Sequence, residues 1–285
     1  MKKRKVDYHI HSSLSDGDLS PNEVFDLCSK LDIEVFSITD HDSIGSSARL
    51  RSCSQIGDEQ IITGVELDCI YKNIEIHMLG YDFDDSDYDL NNHLCLIQQL
   101  RREKIIEQIN SLNTYFKKII IEKSEIINGQ KETYMKPHII NKLIQKGFYN
   151  DLQYEQAYQR INKLLSEISN NNDKIMEPSA VEAIRLIKKA GGISVLAHPG
   201  YYALKSINLE IMFKELNQEG LDGIEVNYPY HYNSPDLYPT YQDEINTIQI
   251  IERLSDEFKL LKTIGSDSHT KEQLIFNNNH WDQKP

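Results

Sequence analysis

The stretch from Asp7 to Asp42 limits most strongly what this chain can fold into. It holds His9-Ile10-His11, then Ser15-Asp16-Gly17, then Thr39-Asp40-His41-Asp42 behind the apolar run Val35-Phe36-Ser37-Ile38. Val6 to His11 reads as a strand, so side chains two apart point the same way and both imidazoles can face one ion. Val35 to Ile38 reads as a second strand and delivers Asp40 and His41 at its carboxyl end, where α/β folds keep their chemistry. Two strands therefore aim ligand-type side chains at one place.

The rest of the chain repeats this arrangement. Ser20-Pro21-Asn22-Glu23 is a capping box with proline at the first helical position, and Val24, Leu27, Cys28 and Leu31 give that helix an apolar face. A short helix is expected over Ser43 to Gln55. Strands over Gln60 to Ile70 and Ile74 to Gly80 are joined by a tight turn at Lys72-Asn73 and carry Glu66 and His77. From about 91 to 172 the composition shifts to Ile, Lys, Gln, Asn and Glu with helical periodicity, broken at Asn128-Gly129, Pro137, Gly147 and 170–172, which predicts a helical insertion. A second capping box, Ser179-Ala180-Val181-Glu182, opens a helix that ends at Gly191-Gly192. Strands follow over Ile193 to Ala197, Gly223 to Asn227 and Lys259 to Ile264, with a helix near Tyr241 to Phe258. Repeated β-α units imply a parallel sheet closed or nearly closed into a barrel, built from 1–90 and 173–285 with 91–172 inserted as a cap.

His9, His11, His41, Glu66, His77, His198, Asp267 and His269 all lie within or just after an expected strand, and six of the ten histidines are in this set. A single histidine at a strand end is more often a hydrogen-bonded structural residue; so many together are a poor fit to random placement. Imidazole and carboxylate without thiolate suit zinc, manganese or iron(II). Eight or nine ligands are too many for one ion, so a cluster of two or three with Glu66 bridging is expected.

Charge and cysteines narrow the surroundings. A formal net charge of −13 argues against gripping long duplex nucleic acid through a basic surface, while cations bound among carboxylates still admit small phosphorylated ligands. Much of the acidity falls in Tyr81 to Asp89, expected to be a solvated loop, with a calcium loop as the alternative although its glycine and closing glutamate are missing. The four cysteines, Cys28, Cys53, Cys69 and Cys95, form no CxxC and read as buried thiols. No apolar run nears a membrane span and no apolar stretch follows the basic start, which leads to the expectation of a cytoplasmic protein without membrane contact.

Taken in order, His9-x-His11, Ser15-Asp16-Gly17, Thr39-Asp40-His41-Asp42, Gly64-Val65-Glu66, His77, Leu196-Ala197-His198-Pro199-Gly200 and Gly265-Ser266-Asp267-Ser268-His269 resemble the motifs of the PHP (polymerase and histidinol phosphatase) superfamily. Within it the chain is similar to stand-alone phosphoesterases acting on nucleoside 3′,5′-bisphosphates and on the 5′ ends of short RNAs. The resemblance implies a distorted (β/α)7 barrel with a helical insertion and a trinuclear site. His9, His11, Glu66 and Asp267 would hold one ion, Glu66, His77 and His198 a second, and Asp16, His41 and His269 a third. Manganese is the usual ion, with iron or zinc as alternatives. Metal-activated hydroxide would attack phosphorus, with Asp42 or Asp16 as candidates for taking or relaying a proton. Lys136-Pro137-His138 stands where the subgroup has an Arg-x-His substrate-phosphate motif, so a bidentate fork becomes a point charge. The segment 147–177 departs from the subgroup, lacking its glycine-rich stretch. His231, after Tyr228-Pro229-Tyr230, matches a position near substrate, where a structural hydrogen bond would serve as well. His93 and His280 match nothing and read as surface residues.

The expected activity is thus a metal-dependent phosphoesterase working on small nucleotide-like phosphates or short RNA ends. The rivals are a histidinol-phosphate or protein-tyrosine phosphatase on the same site and a non-catalytic metal-binding module, although none of the nine ligand positions is missing. A C–N hydrolase on a similar barrel would typically need a carboxylated lysine at a strand end, and no lysine stands at a matching position.

Overall fold

The computed structural model describes residues 4–51, 60–168 and 177–280. β1 (Val6–Ile10), α1 (Pro21–Lys30), β2 (Val35–Ile38) and α2 (Gly45–Arg51) come first. The strands β3 (Gln60–Tyr71) and β4 (Ile74–Tyr81) follow, then three helices, α3 (Tyr88–Tyr115), α4 (Lys136–Gln145) and α5 (Tyr154–Ile168). The alternation resumes with α6 (Ala180–Lys189), β5 (Ile193–Leu196), α7 (Gly200–Leu204), α8 (Leu209–Gln218), β6 (Gly223–Asn227) and α9 (Tyr230–Asn233), and closes with α10 (Tyr241–Glu257), β7 (Leu261–Ile264) and α11 (Lys271–His280).

The seven strands lie side by side in chain order. The two ends of the sheet are drawn together where Asp267 N–H donates to His9 O at 2.7 Å and His11 N–H to Ser268 O at 3.0 Å, giving the distorted seven-stranded α/β barrel expected. One strand departs from the parallel pattern. β4 pairs antiparallel with both β3 and β5, because Lys72 and Asn73, at φ 47° and 66°, form a two-residue turn that returns the chain at once and leaves no room for a crossover helix.

Both capping boxes form: Glu23 accepts from Ser20 N–H, and Glu182 from Ser179 N–H, each at 2.8 Å. Gly191, at φ 82°, ends α6 in the left-handed conformation that glycine adopts without strain. The apolar faces of α6, α8 and α10 pack on the strands in one cluster with Val65, Leu67, Met78 and Ile224. Helices α3, α4 and α5 enclose a second one, with Ile109, Leu112, Ile140, Leu143, Ile161 and Leu165 at its centre. α3 belongs to both, since Leu90 and Leu94 sit in the barrel cluster and Ile105 to Leu112 in the helical one. The boundary expected near 91 thus falls inside a continuous helix.

Several smaller expectations are sharpened. Cys28 and Cys69 are buried, but Cys95 is exposed on α3; Cys53, the end of the expected helix to Gln55 and the asparagine run 170–172 lie outside the described residues. Two carboxylates of the acidic stretch are engaged locally, Asp87 capping α3 through Leu90 N–H and Asp84 accepting from Ser86. His93 is half-buried rather than a surface residue, in a groove with Leu96, Pro178 and Leu186. No described helix is long and apolar enough to cross a membrane.

Candidate metal centre

The barrel mouth gathers the expected residues. β1 carries His9 and, one residue past its end, His11; the loops after β2, β5 and β7 carry His41, His198, and Asp267 with His269. Glu66 is within β3. His77 lies in the middle of β4 rather than at a carboxyl end, and because that strand runs backwards it still reaches the same face, paired in register with Asp68. Asp16 arrives on the loop whose turn needs Gly17: a Cβ there would stand 2.6 Å from His11 O. Asp42, His198 and Asp267 hold positive φ (47°, 29° and 51°), a sparsely populated backbone state that clusters at functional sites.

Glu66, fully buried, is the hub. Its Oε2 lies 3.1 Å from His9 Nε2, 3.1 Å from His11 Nε2 and 3.5 Å from His41 Nε2, and its Oε1 lies 2.9 Å from His77 Nδ1 and 3.3 Å from His198 Nε2. His9, His11, Glu66 and Asp267 offer donor atoms within 4.8 Å of one another, and so do His11, Asp16, His41 and His269, and His41, Glu66 and His77. The structure therefore brings all nine expected positions together. The groupings differ in detail: His11 joins Asp16, His41 and His269, and His198 enters through its contact with Glu66.

The donor set fits divalent metal. His9 Nε2 and His11 Nε2 lie 3.2 Å apart and each 3.1 Å from Glu66 Oε2, so three donor atoms converge on one point. His11 Nδ1 is buried without a hydrogen-bond partner. Burial works against charge on the rings, yet the carboxylates outweigh it. Glu66, Glu225 and Asp267 hold His9 well above the ordinary imidazole range, and His11 and His41 are pushed up to about 9. Glu66 itself is held well below the usual carboxylate range against its burial by His9, His41 and His77. The carboxylates that favour protons on these rings would favour a divalent cation in the same place.

Around the nine lies a set of side chains the sequence reading missed. Glu225, in β6, accepts from His9 Nδ1 at 3.0 Å and from His198 N–H at 2.8 Å. Its signal was a carboxylate inside an otherwise apolar strand. Tyr228 Oη donates to Asp267 Oδ2 at 2.7 Å. Asp68 shares the strand face of Glu66 by the period of two and accepts from His41 Nδ1 at 2.7 Å. Arg101 of α3, whose signal was a basic residue on the apolar stripe of Leu94, Ile97 and Ile105, donates to Asp42 Oδ2 at 2.9 Å through Nε and to Asp68 Oδ2 at 2.5 Å. Burial raises Asp42 to about 6 despite this guanidinium, while Asp68 is held low because Arg101, His41 and His77 overcome its burial.

The remaining expected residues are placed as follows. Asp16 Oδ1 meets His11 Nδ1 at 3.5 Å and His269 Nε2 at 3.4 Å, whereas Asp42 faces Arg101. Lys136 Nζ reaches Ser166 Oγ at 3.5 Å and, with Lys104, Tyr158 and Asn162, lines a cavity of about 300 Å³ beside Asp68 and Glu75. His138 commits both ring nitrogens to the protein: Nδ1 accepts from Met135 N–H and Nε2 donates to Ser15 O, both at 2.9 Å. His231 Nδ1 donates to Tyr238 O at 2.7 Å, the structural bond considered for it. A larger cavity, about 700 Å³, opens over His77, His198, Asp267 and His269, with Tyr201, Leu204 and Leu237 in its wall.

A model of the PHP domain matches residues 7–190. Over 272 residues the chain is 26% identical to a 5′-3′ exoribonuclease of Haemophilus influenzae, covering 93% of this chain and 90% of the relative. It is 25% identical to a 3′,5′-nucleoside bisphosphate phosphatase of Chromobacterium violaceum (78% and 76% covered), and 24% identical to a phosphoribosyl 1,2-cyclic phosphate 1,2-diphosphodiesterase of Eggerthella lenta (93% and 94%). The solved structure of a candidate metal-dependent phosphoesterase from Bifidobacterium adolescentis superposes with a TM-score of 0.75 at 21% identity, covering 96% of this chain and 95% of that one, a likeness of fold.

Proposed function

The chain belongs to the PHP domain family, and from that premise we propose that it is a metal-dependent phosphoesterase hydrolysing small nucleotide phosphates, nucleoside 3′,5′-bisphosphates or the 5′ ends of short RNA. The observation that carries the reading is Glu66, one buried carboxylate contacted by five imidazoles, the arrangement a bridging ligand needs. We assign His9, His11, Asp16, His41, Glu66, His77, His198, Asp267 and His269 to two or three divalent ions, with manganese preferred over iron or zinc. When bound, such ions supply Lewis acidity to phosphoryl oxygens and ionise a water near neutral pH.

The chain's own residues do the rest. Glu225 and Tyr228 fix the orientation of His9 and Asp267 before substrate arrives. Of the two aspartates considered for proton transfer, Asp16 faces the cluster and Asp42 faces Arg101, which favours Asp16. Helices α3 to α5 form a cap over one side of the mouth, and Lys136 in the cavity beneath them offers a positive charge to a second phosphate. His138 supports the cap instead of meeting substrate, because its link to Ser15 pins α4 to the loop carrying Asp16.

The test is phosphate release by manganese-loaded protein from adenosine 3′,5′-bisphosphate, run beside AMP, histidinol phosphate, a ribose 1,2-cyclic phosphate and a short 5′-phosphorylated RNA. Selective turnover of the bisphosphate or the RNA supports the reading; preference for histidinol phosphate makes the protein a small-molecule phosphatase instead. Lys136→Ala is expected to raise KM for a bisphosphate far more than for a monophosphate, and equal effects would remove Lys136 from that role.

A further inference from the structure

Helix α3 lies outside the barrel, yet one of its side chains reaches the residues behind the metal centre. Arg101 is 7% exposed and its guanidinium spans two carboxylates from different strand ends: Asp42, in the loop after β2, and Asp68, in β3. Asp68 uses its other oxygen, Oδ1, on His41 Nδ1 at 2.7 Å. The path runs from α3 through Arg101 and Asp68 to the back of His41, whose Nε2 faces Glu66.

We propose that Asp68 and Arg101 are positioning residues for the metal centre, Asp68 fixing the ring of His41 with Nε2 toward the ions and Arg101 fixing Asp68. The inference rests on the metal-centre reading above and assigns a role to two residues outside the nine ligand positions. A metal-bound histidine characteristically donates its other N–H to a carboxylate, which sets both the ring's orientation and which nitrogen ligates.

A rival assignment exists within the same residues. Asp68, Glu75 and His77 also place donor atoms within 4.8 Å and could be read as a separate ion site. The partners of Asp68 decide against it: both its oxygens are taken, at 2.7 Å by His41 and 2.5 Å by Arg101. A cation placed there would also sit against a guanidinium. The planar fork explains why arginine fills this place: it bridges two carboxylates at once, and a lysine ammonium is a single point. Because the far half of α3 packs with α4 and α5, the same arginine ties the helical layer to the centre.

The experiment titrates Mn²⁺ into metal-free wild type, Asp68→Asn and Arg101→Lys, following affinity and stoichiometry by calorimetry, with thermal melting of each metal-free protein alongside. Asp68→Asn keeps the shape but has one acceptor. With that oxygen on Arg101, its amide NH2 faces His41 Nδ1 and puts the ring's proton on Nε2, the nitrogen toward the ions, so it tests the positioning role even where Arg101→Lys fails to fold. The expected result is one class of ion bound about 10–100-fold more weakly in Asp68→Asn, a loss in the same direction for Arg101→Lys, and metal-free melting close to wild type. Wild-type affinity in Asp68→Asn would overturn the proposal, as would a uniform weakening of every ion in step with lowered melting, which marks a structural role. If wild type itself takes up no Mn²⁺, it is the metal-centre reading that fails, and this proposal with it.

Discussion

Replacing Glu225 by Gln sets two requirements of one buried group against each other. The carboxylate accepts twice, from His9 Nδ1 at 3.0 Å and from His198 N–H at 2.8 Å, and an amide of the same shape can accept only at its oxygen. If the oxygen keeps His9, the amide NH2 meets the N–H of His198 and a buried donor goes unmet, costing about 1–3 kcal/mol. If the amide turns over, both contacts are satisfied, but His9 must then accept at Nδ1 and carry its proton on Nε2, the nitrogen facing His11 and Glu66. In metal-free protein, at a pH where His9 is neutral, the second arrangement wins, so melting measured there should stay within a few degrees of wild type. Metal uptake must reverse it, and repaying about 1–3 kcal/mol is roughly a 5- to 150-fold loss of affinity, in the range measured for such outer partners of metal-bound histidines. Calorimetric titration with Mn²⁺ reads this directly, at a pH where competition by protons is weak, since losing the Glu225 charge also loosens the proton held on His9. Affinity within about twofold of wild type would refute the orienting role; a large drop in metal-free melting would show that Glu225 acts on the fold instead.

Two further outcomes follow from the same geometry. In Gly265→Ala the new Cβ would stand 2.2 Å from both Glu225 Oε1 and His9 Cβ, so overpacking should cost about 1–3 kcal/mol and weaken metal uptake together with it; unchanged urea midpoint and affinity would count against the close approach. His138 is pushed down to about 4, by burial first and then by Lys131, and its Nδ1 accepts from Met135 N–H. Between pH 4 and the unfolded value near 6.5 the unfolded chain binds the extra proton, so stability falls as pH falls, by up to about 3 kcal/mol for this group. The stability difference between wild type and His138→Gln should therefore shrink as pH drops from 7 to 4; a pH-independent difference in urea midpoints would refute it.

The convergence of the candidate ligand positions was legible because barrel geometry turns a local property, lying at a strand end, into a shared location. A histidine pair at spacing two, or a carboxylate just past an apolar run, can be recognised without knowing what stands opposite. The hairpin at Lys72-Asn73 was equally local, and it already implied that β4 must reverse. What escaped was side-chain pairing across long separations. Glu225 meets His9 from 216 residues away, and Arg101 meets Asp68 from 33. Arg101 continues the apolar stripe Leu90, Leu94, Ile97, Ile105, Ile109 and Leu112 of α3, which exposed Arg102 does not, but the stripe says only that this arginine faces inward and not which carboxylates it meets. His138 and Lys131, which reach the carbonyl of Ser15 from the helical region, escaped for the same reason: the sequence shows a basic residue and a histidine near a helix start, and burial decides that they serve as a latch.

The run Thr39-Asp40-His41-Asp42 shows why residue type alone could not divide the roles. β2 ends at Ile38, so beyond it the strict alternation of a strand no longer governs direction, and three consecutive side chains find three different partners. Asp40 accepts from Ser12 N–H, Ser12 Oγ and Ser15 Oγ, each at 2.7 Å, and from Ser46 Oγ; it holds the loop that brings in Asp16. His41 turns to Glu66 and Asp68. Asp42, with φ at 47° and its N–H on Glu66 O at 2.8 Å, turns to Arg101. One carboxylate shapes a loop, the imidazole joins the centre, and the other carboxylate anchors a helix from outside the barrel. Each partner is a side chain or carbonyl the fold supplies from elsewhere, so an aspartate beside a metal ligand takes its function from what the barrel sets opposite it.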